Sequence, residues 1–166
     1  PSSSGDGREK PGSGDLNSEA RKLIEQIREK YIRDDDEGQW QKTFPDEFYE
    51  ELYELKGWSH TGKPLHSRPS VVGKYTNDIV YERLAPGILE ELQRKNPIDK
   101  NGNRPVRHFQ WLTTDTGLPH LRRHLEGVIA LMRAAKDWRH FQELISRSYP
   151  KAGEQLKLYL SSYSPE

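Results

Sequence analysis

The sequence has no cysteine, a single methionine and no long apolar run. Without cysteine, neither a disulfide framework nor a zinc site built from thiolates can form. No segment is long and apolar enough to cross a bilayer as a helix. Mean hydropathy is −1.01 and hydrophobic residues make up 32% of the chain, enough for one small core. We therefore expect a soluble protein of a reducing compartment, the cytoplasm or nucleoid of a host cell, that does not contact membranes.

Motifs for catalysis are also missing. The chain has no glycine-rich phosphate loop, no nucleophile elbow and no serine set beside a histidine and an acid in a recognisable motif. A thiol nucleophile is excluded because cysteine is absent. We accordingly predict no catalytic residues, no cofactor and no resident metal ion, and an enzyme is the less favoured interpretation.

The chain has 166 residues, which is enough for one domain with one core. Serine, glycine and proline dominate the first residues and predict a flexible linker at 1–16. An amphipathic helix and an acidic connector should follow at 17–43, then the main domain at 44–160 and a short tail at 161–166. Because the chain begins with Pro1 and not with methionine, we expect it to be a fragment of a longer protein.

Charge is segregated along the sequence although the net charge is zero. Residues 15–55 carry thirteen acidic against six basic side chains, whereas residues 94–151 carry twelve basic against five acidic ones. One interpretation is a basic surface for a nucleic-acid backbone. The other is that acidic and basic helices pack together within the chain or between subunits.

Helix start and stop residues divide the chain. Pro45 suits the first turn of a helix that Gly57 would end. Ala85-Pro86 and Asn96-Pro97 should break the following helices, and Gly117 should begin the central one. We predict a mainly α fold, a compact bundle of five to six helices, with a small two-stranded β element near 106–112 and 156–160 as an addition.

The central helix should have large apolar side chains on one side and only small side chains on the other. Its apolar stripe consists of Leu121, Leu125, Val128, Ile129 and Met132. On the opposite side, Gly127, Ala130 and Ala134 share a face, which would let a second helix from the same chain or from a partner approach closely. This two-sided helix favours self-association, so a homo-oligomer is the expected assembly.

Two histidines have the spacing of a zinc-binding helix. His120 and His124 lie four residues apart, and His108 or Asp115 would supply a third ligand. A helical wheel places His124 among apolar residues, however. This position favours a histidine at the edge of the core that hydrogen-bonds a backbone or carboxylate group.

Two carboxylate patterns also allow either a structural or a functional interpretation. Asp78 and Glu82 lie one helical turn apart, as an acid/base or metal pair would, but Lys74 and Arg83 are near enough to form salt bridges instead. Residues 99–103 are similar to the start of a calcium loop, although the glycine comes too early and the bidentate glutamate is missing. We favour salt bridges and a simple turn.

Basic residues interleaved with aromatic ones give a weak signal for nucleic-acid binding. Guanidinium groups can pair with phosphate in a bidentate manner, and the rings of His108, Phe109, Trp111 and Trp138 can stack on bases. The alternative is a solvated basic face over core tryptophans. The candidate nucleic-acid-binding residues are Lys74, Arg83, Arg104, Arg107, Arg122, Arg123 and Arg139.

Three blocks of the sequence carry a resemblance to a known family. They are TFPDEFYEELYELKGW, RPSVVGKYTNDIVYERLAPGILEELQRKNP and HFQWLTTDTGLPHLRRHLEGVIALMRAAKDW. Over roughly 44–150 they resemble the bacteriophage P-sixty-three-C domain, the carboxy-terminal module of phage and prophage regulators and antirepressor-like proteins. Members of that family typically have two adjacent histidines before Gln-Trp-Leu-Thr, whereas this chain has only His108. This departure weakens the idea of a paired-histidine metal or nuclease site.

The positions that match the family include many polar residues. On one short helix and around the central one they form a candidate interaction surface, or else a buried hydrogen-bond network. The residues are Asn77, Asp78, Tyr81, Glu82, His108, Gln110 and His124.

The resemblance implies a phage or mobile-element protein, and the residues suggest how it acts. The leading hypothesis is a non-enzymatic interaction or oligomerisation module of a DNA-associated regulatory protein, with nucleic-acid contact through a basic face as a further expectation. One alternative is a metal-dependent phosphodiester hydrolase built on His108, His120, His124, Asp78 and Glu82. The other is a module that binds a host, defence or phage protein.

Overall fold

The structure, a computed structural model, describes residues 13–58 and 71–162, with side chains over 17–58 and 71–157. A 3-10 turn, His108–Trp111, precedes the central helix, and in these residues the only β pairing is an isolated antiparallel bridge between Ile32 and Leu112. The predicted mainly α, compact fold is confirmed. The helices are α1 (Ser13–Tyr31), α2 (Asp46–Lys56), α3 (71–84), α4 (Ile88–Lys95), α5 (Gly117–Ala134), α6 (Trp138–Ser148) and α7 (Ala152–Ser162). Over the described ranges, none of them has the length and apolar character that a membrane span requires.

Helix α5 is the centre of the hydrophobic core, as its apolar stripe predicts. All five residues of that stripe are buried, and α2, α3 and α6 pack against them. These neighbours contribute fully buried side chains, among them Phe48, Ile79 and Phe141. Burial of a side chain of this size stabilises the fold by roughly 1.5–3 kcal/mol. The stripe therefore fixes how α5 is rotated and which of its side chains face outward.

The predicted start and stop residues of α2 and α4 are confirmed. Pro45 precedes the first residue of α2, and Gly57 ends the helix in the left-handed conformation with φ of +68°. The N–H groups of Gly57 and Trp58 donate to the carbonyls of Glu54 and Tyr53, an arrangement that satisfies the last turn. Asn96 ends α4 in the same region of sequence where Asn-Pro predicted a stop.

Neither segment suggested as a β strand forms a strand. In residues 106–112, His108–Trp111 form the 3-10 turn, Phe109 and Leu112 are buried, and the side chain of Gln110 accepts the backbone N–H of Arg107. Residues 156–160 belong to α7. Short alternating apolar stretches fit either structure, and in the described chain the β pairing of these segments is limited to the single bridge from Leu112 to Ile32.

A buried carboxylate joins α1 to α4. Glu91 is 3% exposed and accepts two hydrogen bonds from Arg94, with Nε–Oε2 at 3.0 Å and NH2–Oε1 at 2.5 Å. Arg28 of α1 reaches the same carboxylate, with Nε 3.1 Å from Oε2. These bonds, above all those from Arg94, hold the pKa of Glu91 below its usual range. Glu91 thus pairs with Arg94, three residues later on its own helix, and with Arg28 of α1. Both pairs form because Glu91 faces α1 and not solvent.

The small-residue face of α5 is occupied by a tyrosine and not by a helix. A methyl group on Gly127 would overlap the hydroxyl of Tyr149, which lies between α6 and α7. Ala130 and Ala134, further along this face, are exposed. Among the described residues, the close approach at Gly127 is thus made by the side chain of Tyr149 and not by the second helix that the sequence predicted. Contact of this face with a partner stays a prediction.

We expect Gly117→Ala to lower the free energy of unfolding by about 1–3 kcal/mol, the usual cost of overpacking. A Cβ at this position would lie 2.5 Å from the carbonyl oxygen of Tyr31 and 2.9 Å from Cβ of Leu112, so backbone would have to move. Urea denaturation measures the change. Gly73→Ala is the control, because a Cβ there meets nothing within 4 Å, and it should raise the free energy by up to about 1 kcal/mol. Equal effects of the two substitutions would contradict this packing.

Candidate functional site

Helix α3 contains a π turn, Asn77–Tyr81, inside its stretch of polar residues. The N–H of Glu82 donates to the carbonyl of Asn77, five residues earlier, and not to the carbonyl of Asp78 as in an α-helix. The carbonyls of Asp78 and Ile79 accept hydrogen bonds from side chains, those of Arg83 and His124. Side chains of α3 and α5 therefore take part in the backbone hydrogen bonding of the π turn.

His124 of α5 supplies one of these bonds. Its Nε2 lies 3.0 Å from the carbonyl oxygen of Ile79, and since a carbonyl only accepts, Nε2 carries the proton. The ring stacks edge-on against Tyr149, with centroids 4.7 Å apart. Burial lowers the pKa of His124 to about 4. His124 is thus a neutral donor at the edge of the core, which agrees with the interpretation favoured from the sequence.

Arg83 supplies the other bond from a buried position. Its Nε donates to the carbonyl of Asp78 over 2.9 Å, and its NH1 donates to the carbonyl of Tyr149 over 2.9 Å. Gln155 of α7 donates in turn to the carbonyl of Arg83. Although the sequence suggested Arg83 as a phosphate ligand, its guanidinium is engaged within the fold and the residue is only 5% exposed.

The two carboxylates of α3 share a lysine from the segment before α7. Lys151 Nζ lies 2.7 Å from Oδ1 of Asp78 and 3.8 Å from Oε2 of Glu82. The hydrogen bond that Lys151 donates to Asp78 raises the pKa of the lysine. Lys74, the partner suggested by spacing, is exposed. Arg83, the other suggested partner, places its NH2 3.8 Å from Oδ2 of Asp78. Asp78 and Glu82 are therefore salt-bridged, as the sequence favoured, and their shared cation, Lys151, lies far along the chain.

His108 lies in a second buried polar group. Its Nδ1 is 3.3 Å from Nδ2 of Asn96, and its ring meets Tyr81 edge-on at 5.3 Å between centroids. NH1 of Arg104 donates to the carbonyl of Asn96 over 2.5 Å. Burial, with a smaller effect of Arg104, lowers the pKa of His108 to about 4, and burial also raises the pKa of Tyr81. Within the described residues, Nε2 of His108 and Oδ1 of Asn96 are buried without a hydrogen-bond partner.

Gln110 connects the 3-10 turn to the acidic connector between α1 and α2. Its Nε2 donates to the carbonyl of Gly38 over 3.0 Å, and its own backbone carbonyl accepts the N–H of Gly38 over 2.6 Å. Its Oε1 accepts the N–H of Arg107. Both the oxygen and the nitrogen of the Gln110 side-chain amide are thus hydrogen-bonded within the fold.

Several candidate cations remain on the surface. Lys74, Arg107, Arg122 and Arg123 are exposed, and in the part of the chain that the structure describes no ion pair engages them. Arg139 is exposed and lies 3.8 Å from Glu143, a weak surface pair. Arg122 and Arg123 stand side by side on α5. Among the described residues, no carboxylate forms a salt bridge with either of them.

The histidine pair does not converge with other metal-ligand types. Nowhere in residues 13–58 and 71–162 do three His, Asp or Glu side chains lie close enough together to hold a metal ion. His120 bonds to the hydroxyl of Tyr31 through Nδ1 at 2.8 Å, whereas His124 bonds to backbone. In the loop 99–103, Oδ1 of Asp99 accepts two backbone N–H groups, which is a turn arrangement.

A cleft of about 540 Å³ opens between α1, the end of α3 and α7. Its volume is that of a small-ligand pocket. Its wall is mainly apolar, with Leu23, Ile27 and Leu84 among the lining residues. The polar groups that reach it bond mostly to one another, as described for Arg83 and His120, so the cleft does not specify a ligand.

The polar network of α3 was only half predictable. Asp78, Glu82, Arg83 and His124 stand out by residue type, and the structure brings them together. Their partners, Lys151, Tyr149 and Gln155, belong to the carboxy-terminal part of the chain and carry no motif. His108 and Tyr81 lie in the separate group around Asn96, Gln110 bonds to the connector, and Asn77 lies partly exposed on α3.

A comparison with protein families finds a match to one model, the P-sixty-three-C domain, over residues 27–121, more than half of the chain. This confirms the resemblance drawn from the sequence blocks. Neither the curated proteins nor the solved structures contain a match to the chain. The matched range includes the π turn, Arg83 and the 3-10 turn.

The free energy of unfolding should fall as the pH is lowered from about 6.5 to 4. In the folded protein the pKa of His108 and of His124 is about 4, below the 6.5 that is usual for histidine, so the unfolded chain binds more protons in this interval. Each histidine contributes up to about 3 kcal/mol to the free energy of unfolding. This contribution is fully present above the pKa that the histidine has in the unfolded chain, and it is lost as the pH falls to the pKa that it has in the folded protein. Urea denaturation across this pH range measures the slope. His124→Gln, which keeps an N–H donor without a proton to gain, should reduce it, and an unchanged slope would contradict the assignment.

Proposed function

Because the chain belongs to the phage-associated P-sixty-three-C domain family, we propose that it is a non-enzymatic interaction module of a phage or mobile-element DNA-associated regulatory protein. In this proposal it is a carboxy-terminal module that contacts the nucleic-acid backbone and also self-associates. One observation carries the nucleic-acid part: Arg122 and Arg123 are adjacent, exposed and without an ion pair among the described residues.

The position of this pair on α5 supports a role in binding phosphate. The opposite side of α5 is buried over its whole length, so the backbone that carries Arg122 and Arg123 is held by the core. Two adjacent guanidinium groups carried on this backbone can each donate two parallel hydrogen bonds to phosphate oxygens. Arg107, Arg139 and Lys74 are further exposed cations that would extend such a surface.

The state of the possible catalytic groups supports a binding module over a hydrolase. A general base has to be available to its substrate, yet Asp78 is paired with Lys151 and Arg83, and Glu82 lies 3.8 Å from the same lysine. His124 directs its Nε2 proton to a backbone carbonyl. These groups already have partners that stabilise the fold.

Self-association is supported by exposed features of the acidic connector. The run Asp34–Glu37 is solvent-exposed, and Trp40 beside it is 63% exposed, which is unusual for so large an aromatic side chain. Aromatic residues are enriched at protein interfaces. An acidic surface with an adjacent exposed tryptophan would complement the arginine pair of α5 in a second copy.

For the nucleic-acid contact, we expect Arg122→Ala/Arg123→Ala to weaken binding to duplex DNA by about tenfold at low salt. Fluorescence anisotropy between roughly 50 and 200 mM salt should also show the slope of log K against log salt reduced by about two, one for each lost phosphate contact. The matched control is Arg21→Ala/Lys22→Ala, which removes two adjacent exposed cations from α1. Absence of binding at low salt, or equal effects of both double variants, would remove DNA from the proposal.

For self-association, we expect sedimentation equilibrium to give a mass above that of the monomer at high protein concentration. Added salt should lower this mass, because it screens the attraction between acidic and basic surfaces. Trp40→Ala should shift the equilibrium toward monomer without changing the circular dichroism spectrum. A monomer at every concentration would contradict this part of the proposal and leave the DNA contact to be judged separately.

A further inference from the structure

Three aromatic side chains surround the ammonium group of Lys56. Its Nζ lies 4.5 Å from the ring centroid of Trp138, 4.7 Å from that of Tyr75 and 5.8 Å from that of Trp58. All three distances fall in the range of cation–π attraction. The rings come from the start of α6, from α3 and from the residue after α2's terminal glycine, so only the folded chain assembles them.

The rings are held in place without the help of Lys56. Tyr75 meets Trp138 edge-on at 5.2 Å between centroids and tilts against Trp58 at 5.7 Å. Behind the outer rings lie Tyr53, 4% exposed and 5.6 Å from Trp58, and Phe141, fully buried and 5.4 Å from Trp138. The rings of Trp58, Tyr75 and Trp138, which together we call the aromatic cage, are only partly buried. The three rings would therefore keep their mutual contacts, and remain partly accessible, if Lys56 turned outward.

Lys56 is a poor permanent occupant of such a cage. Within the described residues no carboxylate pairs with it, so the rings alone compensate its partial loss of water. A primary ammonium is strongly hydrated and has a flexible four-carbon stem, which gains rotamer freedom when it leaves. An ammonium that carries methyl groups sheds water more easily and fills an aromatic cage by contact as well as by charge.

We propose that Trp58, Tyr75 and Trp138 form a binding site for an N-methylated ammonium group, and that Lys56 is its displaceable internal occupant. The ligand is a quaternary ammonium in chemical class, free in solution or carried on a methylated lysine side chain. Lys56 competes with it, so apparent affinity is the intrinsic affinity reduced by the fraction of time that the cage is open.

The test is a titration of the full chain with tetramethylammonium and with choline, followed by tryptophan fluorescence and by the indole N–H signals in NMR spectra. We expect Lys56→Ala to bind about tenfold more tightly than the unsubstituted chain, as loss of a competitor that fills the cage about 90% of the time would produce. Lys42→Ala removes an exposed lysine paired with Asp46 and should leave the affinity unchanged.

Further arms separate a cation site from a merely apolar pocket. The neutral carbon isostere of choline, 3,3-dimethyl-1-butanol, should not compete, and Trp138→Leu added to Lys56→Ala should abolish binding. A trimethyllysine peptide that binds more tightly than the free ions would identify a protein side chain as the source, and the reverse order would identify a small molecule. The proposal is overturned if folded Lys56→Ala, checked by circular dichroism, binds neither cation, or if the neutral isostere binds equally well.

Discussion

One constraint, the hydrogen bonding of two backbone carbonyls of the π turn by side chains, connects α3 to α5, to Tyr149 and to α7. The carbonyls are those of Asp78 and Ile79, and a buried carbonyl without a donor costs about 1–3 kcal/mol. Ile79 accepts a hydrogen bond from His124 of α5. Asp78 accepts one from Arg83, which also donates to the carbonyl of Tyr149 and accepts a hydrogen bond from Gln155 of α7 at its own carbonyl.

This constraint gives the polar stretch of α3 a structural meaning. Conspicuous residues such as Asp78, Arg83 and His124 bond to backbone or to one another, while the adjacent arginines of α5 bond to no described carboxylate. A side chain that the fold uses internally is costly to divert to a ligand, because its partner would be left buried and unpaired. Exposure and lack of partners, more than residue type, therefore separate the candidate binding residues from the structural ones.

The sequence predicts local structure well and tertiary partners poorly. Pro45, Gly57 and the stripe on α5 act within one turn of the chain, so their consequences for helix ends and for the core are readable from neighbours. The π turn is different, since its carbonyls are satisfied by side chains up to 45 residues away. The same holds for Lys56, whose three rings come from segments that are adjacent only in space. The alternating leucines of α7 predicted a strand wrongly, because tertiary packing and not alternation alone decides between helix and strand.

The connector between α1 and α2 has no regular secondary structure, yet hydrogen bonds at Arg33 and at Gly38 tie it to the 3-10 turn before α5. Arg33 donates its N–H to the carbonyl of Trp111, and Gly38 and Gln110 exchange two further bonds. Opening this segment breaks contacts of the turn that leads into α5. We therefore expect the hydrogen-bonded amide protons of Arg33 and Gly38 to exchange with solvent more slowly than those of the rest of the connector. An irregular, highly charged loop is in this respect part of the cooperative folding unit.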